Sequence, residues 1–291
     1  MINWPSSLID DIARRKCVIF LGAGISKNSQ NDSGIRPKGW KEFLELGVSR
    51  IGSSTSKKKC ILNCIKKNDY LLACELLKRA MGHDDFIELI KDEFQLPKFK
   101  PSTVHEDIFM LDSRIVITPN FDKIYDLYAN TASTGTINVK RYSESDIADY
   151  IRKNERIILK IHGCISSPNE LIFSKLDYAR ARTNFHNFYL ILESLILTHT
   201  FIFFGAGIND PDIRLLLEDY AFRYKLTKKH QFIVPKNELS DDEFKIYSDS
   251  MNINFIKYDS KSNHKEFVDS LNILVKDVEN RRFQIATSQD W

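Results

Sequence analysis

Apolar residues along the chain follow two rhythms. Six short runs are almost wholly apolar: Cys17-Val18-Ile19-Phe20-Leu21, Arg114-Ile115-Val116-Ile117-Thr118, Ile157-Ile158-Leu159-Lys160-Ile161, Thr200-Phe201-Ile202-Phe203-Phe204, Gln231-Phe232-Ile233-Val234 and Ile253-Asn254-Phe255-Ile256-Lys257. Runs of this length without polar alternation predict strands covered on both faces, as in a parallel sheet. Between them, three- and four-residue spacing predicts helices over 146–153, 185–198, 211–224, 241–251 and 265–279. Asp210-Pro211-Asp212 offers one of these an N-cap, a proline at the first helical position and an acid in the first turn. Strands alternating with helices imply an α/β fold: a doubly wound, Rossmann-like, mostly parallel sheet of about six strands.

The stretch 40–111 departs from that rhythm. It carries helical patterns over 40–51, 59–66, 70–81 and 84–94 and no convincing strand. We therefore expect an all-helical insertion at 40–111, with 1–39 and 112–291 forming the Rossmann-like domain. Placed between the first two strands, the insertion would sit at the carboxyl edge of the sheet as a lid or one wall of a cleft. Lys57-Lys58-Lys59 reads there as a solvated helix start.

Composition narrows the class. With 43% hydrophobic and 28% charged residues among 291, the chain has the material for a sizeable core and is not disordered. A net charge of +3 is too even to suggest nucleic acid as a partner. No apolar run approaches the roughly 18 residues that span a bilayer, and Met1-Ile2-Asn3-Trp4-Pro5 lacks a basic start followed by an apolar stretch, so we expect a cytoplasmic protein with no membrane partner. Cys17, Cys60, Cys64, Cys74 and Cys164 are an odd set in a large chain and read as reduced thiols. The abrupt end at Trp291 leads us to expect a further domain beyond it.

Candidate chemistry gathers after the strands. Gly22-Ala23-Gly24-Ile25-Ser26 follows the first, where backbone amides and a hydroxyl can approach a phosphate, although a ligand-free strand-to-helix turn reads the same way. Lys27 stands where the hydride-transfer fingerprint has its third glycine, which removes the main support for a dehydrogenase. Thr118-Pro119-Asn120-Phe121-Asp122 follows the second strand; a carboxamide can hold a ribose hydroxyl or orient a water without taking charge, whereas Asp122 can equally be a helix cap. His162-Gly163 follows the third, with an imidazole suited to taking a proton and a glycine leaving room for a sugar. A second strand, Gly-x-Gly, helix element, Gly205-Ala206-Gly207-Ile208-Asn209-Asp210, would add another backbone wall beyond what packing requires. His83, His105, His186, His199, His230 and His264 are read as structural.

In that order these motifs resemble the sirtuins, whose corresponding segments read GAGxS, TxN(I/F)D and HG, over most of residues 16–260. The segment 204–217 looks more like the divergent bacterial sirtuin-like domains, known as NAD-consuming antiphage effectors, than like protein deacylases. The resemblance implies NAD as substrate, Asn120 and His162 as the catalytic pair, and Gly22, Ala23, Gly24, Ser26, Thr118, Asp122, Gly205, Gly207 and Asn209 as NAD-binding. Deacylases carry a zinc ribbon of two CxxC pairs after the His-Gly motif; here only Cys164 follows, so no zinc and no metal ligands are expected. Gly34-Ile35-Arg36-Pro37 does not reproduce the deacylase GIPDFR, which leaves the nicotinamide pocket unassigned. The leading expectation is an NAD glycohydrolase forming nicotinamide and ADP-ribose, whose activity depends on self-association or a regulatory partner. The alternatives are a zinc-free deacylase or ADP-ribosyltransferase, and a non-catalytic NAD or ADP-ribose sensor.

Overall fold

The computed structural model describes residues 1–52, 55–208, 210–224 and 228–289. Its strands are β1 (Cys17–Leu21), β2 (Ile115–Thr118), β3 (Asn138–Arg141), β4 (Ile157–Lys160), β5 (Thr200–Phe204), β6 (His230–Pro235) and β7 (Ile253–Tyr258). All pair in parallel in one sheet of order β3-β4-β2-β1-β5-β6-β7. The helices are α1 (Ser6–Ala13), α2 (Ala23–Ser26), α3 (Trp40–Arg50), α4 (Thr55–Lys66), α5 (Tyr70–Met81), α6 (His83–Phe94) and α7 (Thr103–Met110) before β2. Then come α8 (Ile124–Ala132), α9 (Ile147–Arg152), α10 (Lys175–Asn184), α11 (His186–Thr198), α12 (Pro211–Tyr224), α13 (Asp241–Met251) and α14 (Lys261–Ser288).

The central strands are buried along their whole length because each face carries its own helical layer. Along β1, Cys17, Ile19 and Leu21 pack with α1, α7 and α14 residues such as Leu8, Ile108 and Leu274, while Val18 and Phe20 face Leu192, Leu217 and Phe244 of α11–α13. Period-two alternation thus divides one apolar run between two cores. The fold is the expected doubly wound α/β architecture, with seven strands where the apolar runs predicted about six. The additional one, Asn138-Val139-Lys140-Arg141, is an edge strand that stays partly exposed, so it has no apolar run to betray it.

Caps mark several helix starts. Asp210 Oδ1 accepts from the Ile213 amide at 3.2 Å, and Ser240 with Glu243 forms a reciprocal box opening α13. Helices α3–α6 enclose an apolar centre of their own, including Phe43, Leu77, Phe86 and Leu89. That centre extends to Phe173 and Cys164 from the segment after β4, and Phe121 packs against it. By contrast, α7 lies on the sheet, with Val104 and Ile108 in the α1 and α14 layer.

Candidate active site

Thr118 ends β2 opposite Lys160 at the end of β4, and both strands lie on one side of β1 while β5 lies on the other. The loops after β1, β2, β4 and β5 therefore meet where strand order reverses about β1, the position at which doubly wound sheets bind ligands. Four predicted motifs converge there.

The two Gly-x-Gly loops touch. Gly22 donates its amide to the Phe204 carbonyl and Gly24 to that of Gly205, each at 2.9 Å. A Cβ on Gly22 would lie 2.3 Å from Ala206 Cα, and one on Gly205, whose φ is +59°, 2.6 Å from the Ile25 nitrogen. These glycines are required by loop-on-loop packing, which corrects the expectation that two such loops exceed what packing needs. Gly207 differs: nothing among the described residues lies within 4 Å of its would-be Cβ. Asn209 lies outside the described residues.

Asn120 is held by three hydrogen bonds. Its amide donates to Thr118 Oγ1 at 3.0 Å, and Nδ2 donates to the Gly22 carbonyl at 3.0 Å and to Ser26 Oγ at 3.1 Å. Because Gly22 O can only accept, the orientation of the carboxamide is settled: both amide protons are engaged, which leaves Oδ1 as the accepting end of the side chain. Ser26 in turn donates to Asp122 Oδ2 at 2.7 Å, Asp122 Oδ1 accepts from the Ile124 amide at the start of α8, and Thr118 donates to the Leu21 carbonyl. Ser26, Thr118 and Asp122 are buried, so they brace the Asn120 loop from behind. Ala23 is exposed on the same turn.

His162 follows β4 and is 3% exposed. Its Nδ1 is 3.3 Å from the Tyr178 hydroxyl of α10, whose ring meets the imidazole edge-on at 4.8 Å between centroids. Gly163 has φ +86°, and a Cβ there would meet the Glu170 carbonyl at 2.8 Å. It serves that turn, which corrects the expectation that it leaves room for a sugar.

Beneath this pair lies Lys160, 1% exposed, which donates to the Asp122 carbonyl and, at 2.9 Å, to Asp126 Oδ2 of α8. Burial opposes its charge, but Asp126 and Asp122 outweigh that and hold the ammonium above its ordinary pKa. Sequence reasoning passed over Lys160, Asp126 and Tyr178. A lysine inside an otherwise apolar strand was the available signal for the first; Tyr178 had none.

On the other side of the Gly22–Ser26 turn, Gly24 and Gly205 line a cavity of about 260 Å³ together with Lys27, Arg36, Tyr258 and His264. Asn263 and His264 reach it from α14, whose first turn is interrupted by three consecutive left-handed residues, Ser262, Asn263 and His264. Such a run is strained and persists only where surrounding contacts enforce it. Here Arg36 donates to Asn263 Oδ1 at 2.9 Å, and the Tyr258 hydroxyl meets His264 Nδ1 at 2.9 Å. His264, read as structural, is thus a cavity residue. His230 opens β6, where its buried Nδ1 accepts from the Phe201 amide at 3.1 Å.

Cys60, Cys64 and Cys74 sit on α4 and α5, away from the Cys164 turn in the chain, and among the described residues no three His, Cys, Asp or Glu side chains gather to hold a metal ion. No helix among them is long and apolar enough to cross a membrane.

Residues 114–256 match the family model of the SIR2-like domain. Defense-associated sirtuin 2 of Bacillus subtilis is 26% identical over 207 residues, covering 69% of this chain and 19% of that protein. The NAD(+) hydrolase ThsA of Bacillus cereus (strain MSX-D12) is 25% identical over 236 residues, covering 80% of this chain and 46% of the relative. The ThsA of Acinetobacter baumannii (strain 532279) is 21% identical over 243 residues, with 81% and 46% covered. The chain thus spans from about a fifth to just under half the length of these relatives. Over residues 114–256 the chain is thus similar to SIR2-like domains.

Proposed function

We propose that this chain binds NAD and hydrolyses its nicotinamide–ribose bond, releasing nicotinamide and ADP-ribose, as a regulated effector of bacterial antiphage defence. The observation that carries this reading is the orientation of Asn120, whose Oδ1 is presented at the reversal of strand order while both amide protons are engaged on Gly22 and Ser26. The names of the relatives, an NAD(+) hydrolase and a defence-associated sirtuin, point the same way.

In this reading the departing nicotinamide leaves an oxocarbenium-like ribose. Asn120 Oδ1 accepts from a ribose hydroxyl or the attacking water and orients it. His162 takes the proton, a role that Nε2 can fill when Nδ1 carries its own hydrogen toward the Tyr178 oxygen. Ala23 and Gly207 border the dinucleotide, and the cavity beside Gly24 and Gly205 takes its remaining part, with Lys27 and Arg36 supplying positive charge. Gly22, Ser26, Thr118 and Asp122 contribute by holding the loops. The 40–111 insertion forms a wall of the cleft over the domain built from 1–39 and 112–291, zinc is not needed, and activity in the cytoplasm is switched on by self-association or a partner protein.

Chromatography of NAD incubated with the protein, at several protein concentrations and with or without acylated peptide, tests the proposal. Nicotinamide and ADP-ribose formed without peptide are the expected result. Peptide-dependent turnover would favour a deacylase, and binding without turnover a sensor.

A further inference from the structure

Lys160 is the least explicable residue of the sheet if it serves packing alone. Ile157, Ile158 and Leu159 fill the rest of β4, and all four positions are buried. A buried ion pair costs desolvation at both ends, and well-packed apolar side chains in its place are commonly neutral or stabilising. The Lys160–Asp126 pair, 1% and 4% exposed, therefore asks for a reason other than stability.

Its contacts supply one. The Lys160 side chain reaches the Asp122 carbonyl, two residues beyond Asn120, and the Asp126 carboxylate in the first turn of α8. Its own carbonyl accepts from the Gly163 amide at 3.3 Å, within the turn that carries His162. The Asp122 side chain continues the path through Ser26 to the Asn120 carboxamide. One residue thus ties the Asn120 loop and the His162 turn to the same strand end. We propose that Lys160, with Asp126 as its counter-ion, is a positioning residue that sets the placement of Asn120 relative to His162. This rests on the hydrolase reading, since it assigns Asn120 and His162 to the reaction. A misplacement of the order of 1 Å at reacting groups can cost about 100-fold in rate, which is ample reason to retain a buried charge.

The decisive variant replaces both charges, Lys160→Met with Asp126→Leu, because removing one alone strands a buried charge and threatens the fold. We expect the double variant to keep a parent-like melting temperature. Its kcat for nicotinamide release should fall about 10- to 100-fold with KM within about twofold. The side-chain amide resonances of Asn120, identified by their loss in Asn120→Ala, should move. A folded double variant with parent kcat and unmoved Asn120 resonances would overturn the proposal, as would equal losses in kcat and affinity with those resonances unmoved. If the parent itself released no nicotinamide, the hydrolase reading would fall by itself, and the Asn120 resonances would still decide whether the pair positions this side chain.

Discussion

Asn120 Nδ2 donates to Ser26 Oγ at 3.1 Å, joining residues that lie 94 positions apart and belong to two different strand-end loops. Ser26 accepts that bond while donating its own proton to Asp122, so the three side chains have a single sense of donation. The carboxamide cannot turn over without placing its oxygen against the Gly22 carbonyl.

Loss of that carboxamide should act on turnover more than on folding. Asn120→Ala and His162→Ala are each expected to lower NAD turnover by roughly 10²- to 10⁴-fold with folded protein and retained ground-state affinity. His186→Ala, at an exposed helix start, is the control that should keep the parent rate. His230 does not suit that role, since its removal would strand the buried Phe201 amide. Steady-state nicotinamide release checks all three.

Ser26→Ala removes the acceptor that orients Asn120 while leaving the Gly22 contact in place. We expect kcat to drop about 10-fold and KM to change little, as for an interaction that matters mainly in the transition state.

Tyr178→Phe tests the tautomer of His162. Without the phenolic oxygen, Nδ1 loses its hydrogen-bond partner in α10, and the proton is no longer directed to that nitrogen. A fall in kcat of about 10-fold with KM little changed is expected from steady-state kinetics of nicotinamide release.

The glycines separate packing from ligand contact. Gly205→Ala combines a left-handed φ with a clash against Ile25 and should lower stability by about 1–3 kcal/mol, seen in the urea midpoint. Gly207→Ala meets nothing among the described residues and should leave that midpoint unchanged while raising KM for NAD.

Burial lowers the pKa of His105 to about 4, and burial likewise lowers that of His230 to about 4. The unfolded chain binds these protons near pH 6.5 and the folded chain only near 4, so stability is full above about 6.5 and declines as pH falls toward 4. Urea unfolding at pH 7.5, 5.5 and 4.5 should show that decline, and His105→Gln should flatten it.

Much of this protein could be read from local pattern. The run at 17–21 is apolar at every position because both sheet faces are covered, and the Asp210-Pro211 start of α12 follows from capping chemistry; both signals are contained in a short window of sequence. The strand-end motifs were legible for the same reason, since a doubly wound sheet brings the ends of its strands to one crevice. Tertiary structure decided the rest. Edge strand β3 has too few buried positions to leave an apolar signature. Gly22 and Gly205 are glycines because of each other, across 183 residues, so their reason is a contact that no local window contains. Tyr178 beside His162, His264 in the cavity and Lys160 beneath Asn120 likewise acquire meaning only when separate segments are packed together. Sequence spacing governs backbone conformation, whereas the partner of a side chain is set by how distant elements dock.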